Sequence, residues 1–174
     1  RLEAKDAPVI VVVGCAEGYY AIGLKRRLPH AKVYAIDTNE MALTIARTNA
    51  ALNGVLINFG GPTEDVFVHD PALIIMDCEG AEVDYLDLEK YPALASAHII
   101  LEVHNLPGQE TDKILLNRMR GTHRINMIFE GPRHPAKYQL LCHMPSEGRW
   151  LAVSEGRPCL MAWFDMTPRG LLAS

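Results

Sequence analysis

The sequence is poor in cysteine, and its cysteines show no spacing pattern. The 174 residues include four, Cys15, Cys78, Cys142 and Cys159, and no two of them form a C-x-x-C pair. A zinc knuckle or a disulfide framework is therefore not expected. Unpaired cysteines are typical of a reducing compartment, so we predict a cytoplasmic location.

The sequence also lacks long apolar runs and an excess of basic charge. No run approaches the roughly 20 residues that a membrane helix needs, so no membrane span is predicted. Lys and Arg number 17 against 21 Asp and Glu, for a net charge of −4. This balance argues against a groove that binds nucleic acid by neutralising its phosphates.

Repeats, low-complexity tracts and linkers are missing too, and the length suits one domain. We therefore predict a single domain over residues 1–174. The chain opens on Arg1 rather than Met and enters an apolar segment within ten residues. We take it as part of something longer, so that a targeting segment could precede it.

Strand-like and helix-like segments alternate over the first two thirds of the chain. Pro8 is followed by an unbroken β-branched run to Val13, which is typical of a strand buried on both faces. Such alternation predicts a Rossmann-like α/β fold: a doubly wound, mostly parallel seven-stranded sheet with an antiparallel edge strand and helices on both faces. The predicted strands are 8–13, 32–36, 55–59, 72–76, 98–103, 124–129 and 159–164; helices are predicted over 18–28, from a cap at Thr38 or Asn39 to Asn53, over 83–94 with a break, and over 111–120.

A glycine turn follows the first strand. Gly14 ends that strand and Gly18 opens the next helix, which lets backbone N–H groups approach a ligand closely. A dinucleotide fingerprint would read G-x-G-x-x-G. Here the middle glycine is replaced by Ala16, and Glu17 would repel a pyrophosphate, so a dinucleotide cofactor is disfavoured.

An acidic residue, Asp37, ends the second strand. It stands at the position where a carboxylate accepts hydrogen bonds from ribose hydroxyls, about twenty residues beyond the glycine turn. A ribose contact without a phosphate cradle indicates an adenosine ligand such as S-adenosylmethionine. The alternative is a tight turn followed by a helix-capping Asp, and the strand–turn–helix–strand order favours the cofactor.

These residues resemble a class I S-adenosylmethionine-dependent methyltransferase. More narrowly, the segments MDCEGAEVDYL (76–86) and ILEVHN (100–105) resemble the FkbM-like methyltransferases, which show D-x-E-G-x-E after the fourth strand and E-x-H after the fifth. The resemblance covers nearly the whole chain. An N-terminal helical extension that the family often uses to cover the cofactor is absent from this sequence.

The resemblance implies a cofactor site and a reaction. It implies O-methylation of a hydroxyl on a sugar, lipid or other small molecule, with S-adenosylhomocysteine as the product. The mildly acidic charge balance, for its part, predicts no nucleic-acid partner. The implied cofactor-binding residues are Gly14, Cys15, Ala16, Glu17, Gly18, Tyr19, Asp37, Thr38, Asn39, Glu64 and Asp77.

Carboxylates and a histidine gather where the fourth and fifth strands end. Ligands bind beyond the carboxyl ends of strands in an open parallel sheet. Glu102 and His104 are two residues apart and share a side of their strand, and Asp77 ends the neighbouring strand. We predict these three as the catalytic residues.

Three interpretations of this cluster compete. In the first, His104 or Asp77 removes a proton from the acceptor as the methyl group arrives. In the second, Asp77, Glu102 and His104 hold a divalent cation. In the third, such groups only cap turns and helix N-termini, which suits Glu79 and Glu82. We favour the first for His104 and Asp77, predict no metal, and leave Glu79 undecided.

Two other function classes stay open. One is a methyltransferase-like domain that binds adenosine ligands without catalysis. The other is a nucleotide-binding oxidoreductase, against which Ala16 and Glu17 count. The oligomeric state does not follow from the sequence.

Overall fold

The computed structural model describes residues 7–60, 67, 70–105, 108–129, 131, 133–154 and 161–172. Within them a seven-stranded sheet has the order β3-β2-β1-β4-β5-β7-β6. The strands are β1 (Val9–Val13), β2 (Lys32–Ile36), β3 (Asn58–Gly60), β4 (Leu73–Met76), β5 (His98–Val103), β6 (His123–Phe129) and β7 (Ala162–Pro168). The helices are α1 (Tyr19–Arg27), α2 (Glu40–Leu52), α3 (Glu82–Tyr85), α4 (Thr111–Met119) and α5 (Ser146–Ala152).

The sheet is parallel from β3 to β5. β7 runs antiparallel to both β5 and β6. The predicted fold class is thus confirmed, with one refinement: the antiparallel strand lies one place in from the edge, and β6 forms the edge itself. All five parallel strands end on the same side of the sheet, which brings their carboxyl ends together.

The core has two layers, one on each face of the sheet. Alternate residues of the strands pack with α3 and α4 on one face, for example Val11, Ile74 and Leu101 with Leu86 and Leu115. The other residues of β1 and β2 pack with α1 and α2 on the opposite face. β-branched residues suit strands that are covered on both sides, which is why the run in β1 is apolar at every position.

The helical stretch predicted over 83–94 is shorter than expected. α3 ends at Tyr85, and a 3-10 helix follows at Pro92–Ser96. Pro92 is tolerated in the first turn of a helix but not in its interior, so it starts this second element rather than continuing the first. The last strand starts at Ala162 rather than near Cys159, which lies outside the described residues. Among the described helices, none is long and apolar enough to cross a bilayer.

Candidate functional site

The glycine turn places the end of β1 against its two neighbouring strands. The N–H groups of Gly14 and Cys15 both donate to the carbonyl of Ile36, at 3.0 Å each. Gly14 has φ of +73°, and a Cβ there would lie 1.8 Å from the carbonyl oxygen of Asp77. Only glycine fits this position, because both the conformation and the close approach exclude a side chain.

Asp37 joins this turn through its side chain. Oδ2 accepts a hydrogen bond from the Ala16 N–H at 2.8 Å, and Oδ1 accepts from the Asn39 N–H at 2.8 Å. Ala16 has φ of +44°, which turns its N–H toward the carboxylate. An ionised carboxylate has about four acceptor positions, so Asp37 keeps two for hydroxyl donors of a ligand.

A cleft of about 250 Å³ connects the glycine turn, Asp37 and the end of β4. Its lining residues are Val13, Gly14, Ala16, Ile36, Asp37, Thr38, Asp77, Cys78, Glu79, Ala81 and Tyr85. Apolar side chains from β1 and β2 stand beside carboxylates at the ends of β2 and β4. Such a cleft suits a ligand with an apolar ring, a ribose and a positive charge.

Five of the predicted cofactor residues lie in this lining: Gly14, Ala16, Asp37, Thr38 and Asp77. Cys15 is instead buried in the core beneath the turn. Gly18 forms the N-terminal boundary of α1 and packs on Ile22 and Ala46. Glu17 is exposed and offers its backbone carbonyl to the Asn49 side chain.

Tyr19 and Asn39 are also outside the lining. Tyr19 begins α1 and is 77% exposed. Asn39 caps α2, where its Oδ1 accepts hydrogen bonds from the N–H groups of Met41 and Ala42. Of the two residues predicted as candidate caps of this helix, Thr38 and Asn39, the structure thus uses Asn39. Glu64 lies outside the described residues.

The predicted catalytic residues come together at the ends of β4 and β5. Asp77, Glu102 and His104 each offer a ligand atom within 4.8 Å of the others. Glu102 and His104 are buried, and the side chain of Asp77 is 31% exposed. His104 Nε2 lies 3.7 Å from Asp77 Oδ1 and 3.4 Å from Glu79 Oε2. Two carboxylates and an imidazole at these distances could hold a divalent cation or transfer a proton.

Asp77 is the carboxyl whose ionisation is most affected by this arrangement. Burial, together with the negative charge of Glu102, raises the pKa of Asp77 to about 6. The buried Oδ1 has no hydrogen-bond partner among the described residues. A carboxyl with such a pKa at the wall of a cleft is typical of functional sites.

Glu82 is a member of the site that sequence reasoning missed. We assigned it to helix capping, but its side chain is fully buried and its Oε1 lies 2.7 Å from His104 Nδ1. The hydrogen bond to Glu82 is the largest cause that raises the pKa of His104, and burial opposes it. The sequence holds no local signal for this role, because Glu82 stands at the start of α3, where a carboxylate is expected as a helix-terminus residue in any case.

The cysteines near the cleft are unsuited to nucleophilic chemistry. Burial raises the pKa of Cys78 to about 12 and that of Cys15 to about 11. A thiol needs to ionise to attack, so neither is activated.

Comparisons with known proteins match the first part of the chain by sequence. Residues 1–68 match the model of the family described as "Methyltransferase small domain". A release factor glutamine methyltransferase of Deinococcus radiodurans is 41% identical over 59 residues, which are 34% of this chain and 21% of that protein. The chain thus spans about a fifth of the length of this relative, and the family match ends before β4.

Solved structures resemble a larger part of the chain. M. capricolum TrmK, in complex with S-adenosyl-homocysteine, has a TM-score of 0.61 and 15% identity over 95% of this chain and 66% of that chain. The Pyrococcus abyssi tRNA (uracil-54, C5)-methyltransferase, in complex with S-adenosyl-L-homocysteine, has a TM-score of 0.54 and 22% identity over 69% of this chain and 29% of that chain. The chain therefore has the Rossmann-like fold of class I methyltransferases. The narrower FkbM-like resemblance stays a prediction.

One prediction is wrong on these comparisons. A small-molecule acceptor with no nucleic-acid partner was expected, yet the relative is named for a glutamine of a release factor and a structural neighbour for tRNA. The small-molecule acceptor was implied only by the FkbM-like resemblance, which the comparisons do not show. The exclusion of nucleic acid failed because net charge describes a whole chain, whereas an acceptor is selected by the surface around one cleft.

Proposed function

We propose that this chain is the catalytic domain of an S-adenosylmethionine-dependent methyltransferase. The observation that carries the proposal is the contact between Asp37 and the glycine turn, at one end of a cleft that reaches Asp77. Similarity to methyltransferases in both sequence and fold supports it. The narrower details that follow, the acceptor and the residue roles, are part of the same proposal.

The residues of the cleft fit S-adenosylmethionine. Asp37 keeps acceptor positions for ribose hydroxyls, Ile36 and Tyr85 offer apolar surface, and Asp77 and Glu79 provide negative charge. When bound, this cofactor supplies an electrophilic methyl group on a sulfonium. The carboxylates stabilise a cation in the cleft, and the turn at Gly14 sets the distance between the ends of β1 and β4.

A polypeptide is the proposed acceptor. The relative with 41% identity is named for a glutamine of a release factor, whereas the tRNA-methylating neighbour shares the fold at 22% identity. That relative favours a side-chain amide nitrogen over the hydroxyl oxygen predicted from the sequence. Both acceptors lose one proton on methylation, and His104 Nε2, at the end of β5, is positioned to accept it.

Calorimetry tests the cofactor half of the proposal. S-adenosylmethionine and S-adenosylhomocysteine should bind at one site, and NAD should not. Asp37→Ala should weaken the binding of S-adenosylhomocysteine by about 100-fold or more, because it removes charge-assisted hydrogen bonds worth roughly 1.5–3 kcal/mol each. Asp84→Ala, which removes an exposed carboxylate outside the cleft lining, is the control. NAD binding alone, or equal affinity in both variants, would overturn the proposal.

Radiolabel transfer tests the acceptor half. The protein is incubated with S-adenosylmethionine labelled in the methyl group and with separate pools of bacterial protein and tRNA. Label in the protein pool is expected. Label in tRNA alone would refute a polypeptide acceptor. Cofactor binding with no transfer to any pool would favour the non-catalytic adenosine-binding domain.

A further inference from the structure

We infer that Glu82 is a positioning residue, which keeps the proton of neutral His104 on Nδ1 and so leaves Nε2, the nitrogen beside the cleft-lining Asp77 and Glu79, as the basic one. The inference rests on the proposed function, in which His104 takes the proton of the acceptor. Glu82 belongs neither to the predicted catalytic residues nor to the predicted cofactor-binding residues. Its role is to orient the imidazole of His104, and His104 is the base.

The contacts of Glu82 define the direction of its hydrogen bond. Oε1 accepts from the Gly80 N–H at 3.0 Å and lies 2.7 Å from His104 Nδ1. A carboxylate oxygen has two acceptor positions, so Oε1 can accept a second N–H beside that of Gly80. A carboxylate oxygen that accepts from Nδ1 requires the ring hydrogen on that nitrogen, which leaves the lone pair of the neutral ring on Nε2.

The other ring nitrogen has no short contact of this kind among the described residues. Nε2 lies 3.4 Å from Glu79 Oε2 and 3.7 Å from Asp77 Oδ1. Both distances exceed the ordinary N–H···O range of roughly 2.7–3.2 Å. His104 is not itself among the cleft-lining residues, but its weakly held Nε2 is the nitrogen nearer to Asp77 and Glu79, which line the cleft.

The turn before α3 aims these groups at each other. Glu79 and Gly80 both have positive φ, at 54° and 107°. A non-glycine residue in this conformation is strained, and the turn points the Gly80 N–H at the Glu82 carboxylate. The same turn keeps the Glu79 side chain out in solvent, 85% exposed, on the opposite side of the imidazole.

A purely structural role explains Glu82 poorly. The residue is fully buried, and its Oε2 has no hydrogen-bond partner among the described residues. Burying a carboxylate with one oxygen unsatisfied costs free energy that an apolar side chain or a glutamine would reduce. α3 has only four residues, so stabilising its N-terminus does not offset that cost. Orientation of the imidazole supplies a reason to keep it.

Nitrogen NMR of the histidine rings tests the inference without any acceptor. In the full chain labelled with ¹⁵N-histidine, neutral His104 should show the shifts of the tautomer protonated on Nδ1. Glu82→Gln should lower the pKa of His104 by about one pH unit or more, because a buried charge beside the ring is removed. Neutral wild-type His104 protonated on Nε2 would overturn the inference, and this arm needs no variant to fold.

Glu79→Gln is the matched control for the charge. It removes a carboxylate near the same ring, but an exposed one on the other nitrogen. Water screens that charge, so the pKa of His104 should move less than in Glu82→Gln, and the tautomer should not change. Equal changes in the two variants would show that Glu82 acts only through its charge, and the inference would be wrong.

Turnover gives a second readout that a structural role would not move. In the radiolabel assay, Glu82→Gln should lower kcat by about 10- to 100-fold while the affinity for S-adenosylhomocysteine changes less than twofold, and the pH profile should shift with the pKa of His104. Unchanged kcat would contradict the inference. Absence of cofactor binding in the wild type would instead defeat the proposed function. The NMR measurement of the tautomer would still test whether Glu82 holds the proton of His104 on Nδ1.

Discussion

Asp77 makes the fold depend on pH. Its pKa is raised from an ordinary 3.8 to about 6, so the folded state resists its ionisation. The destabilisation is absent below pH 3.8, grows as the pH rises, and is complete above pH 6. This sign is opposite to that of a carboxylate held in an ion pair.

Asp77→Asn should therefore stabilise the free protein at pH 8. We expect a gain of about 1 kcal/mol, or roughly 3 °C in Tm, because the substitution removes a charge that burial disfavours and that Glu102 repels. The gain should vanish near pH 4, where the native carboxyl is protonated. Thermal unfolding of the wild type and of Asp77→Asn at pH 4 and pH 8 measures the difference in Tm. A lower Tm for Asp77→Asn at pH 8, with Asp84→Asn unchanged, would contradict this account of Asp77.

Gly14 and Gly23 should respond to alanine in opposite directions. Gly14→Ala places a Cβ 1.8 Å from the Asp77 carbonyl at a φ of +73°, so we expect severe destabilisation, by several kcal/mol or about the full stability of the fold. Gly23 lies within α1, with nothing within 4 Å of an added Cβ. Gly23→Ala should stabilise by about 0.5–1 kcal/mol. Urea unfolding compares them, and similar effects of the two substitutions would contradict the geometry of the turn.

At the scale of elements, α2 starts where its cap dictates. Asn39 accepts hydrogen bonds from two backbone N–H groups, at 3.0 and 3.3 Å. Asn39→Ala should cost about 1 kcal/mol of unfolding free energy, and Asn39→Asp should restore most of it. Chemical unfolding gives both values. If alanine left stability unchanged but weakened S-adenosylhomocysteine binding tenfold, Asn39 would be a ligand contact rather than a cap.

Elements that the sequence predicts well are those whose local signal agrees with their packing. β1 is an unbroken apolar run, and the structure places its strand at Val9–Val13, close to the predicted 8–13. α3 was predicted poorly, because its length depends on where the chain meets α4. There the Arg118 guanidinium donates to the carbonyls of Val83 and Leu86, a contact between segments more than thirty residues apart.

The same distinction applies to the site, where residues set by local sequence were predictable and residues set by packing were not. Asp37 was predictable because its spacing from the glycine turn reflects one β-α-β unit. Glu82 was not, because its role depends on His104, which arrives from the next strand. A carboxylate two residues after a glycine indicates the start of a helix, whether or not it also contacts a histidine. Only the packed structure shows that it is buried and that it meets a histidine.

At the scale of the whole molecule, the sheet topology brings the residues of the candidate site together at the carboxyl ends of the parallel strands. β1, β2, β4 and β5 are parallel neighbours, so the glycine turn, Asp37, Asp77 and His104 all follow carboxyl ends of adjacent strands. The proposed ribose-binding residue Asp37 and the glycine turn follow β2 and β1, within residues 1–68, the part that matches the methyltransferase family model by sequence. The acid cluster comes from β4 and β5, beyond that match, where acceptor specificity would be set.

The central claim is that the glycine turn and Asp37 together bind the adenosine part of S-adenosylmethionine. A calorimetric titration of the full chain with S-adenosylhomocysteine, run side by side for wild type, Asp37→Ala and Asp84→Ala, tests it most directly. We predict one-to-one binding that Asp37→Ala weakens by about 100-fold and Asp84→Ala leaves intact. Absence of binding to the wild type, or equal binding to all three proteins, would contradict the claim.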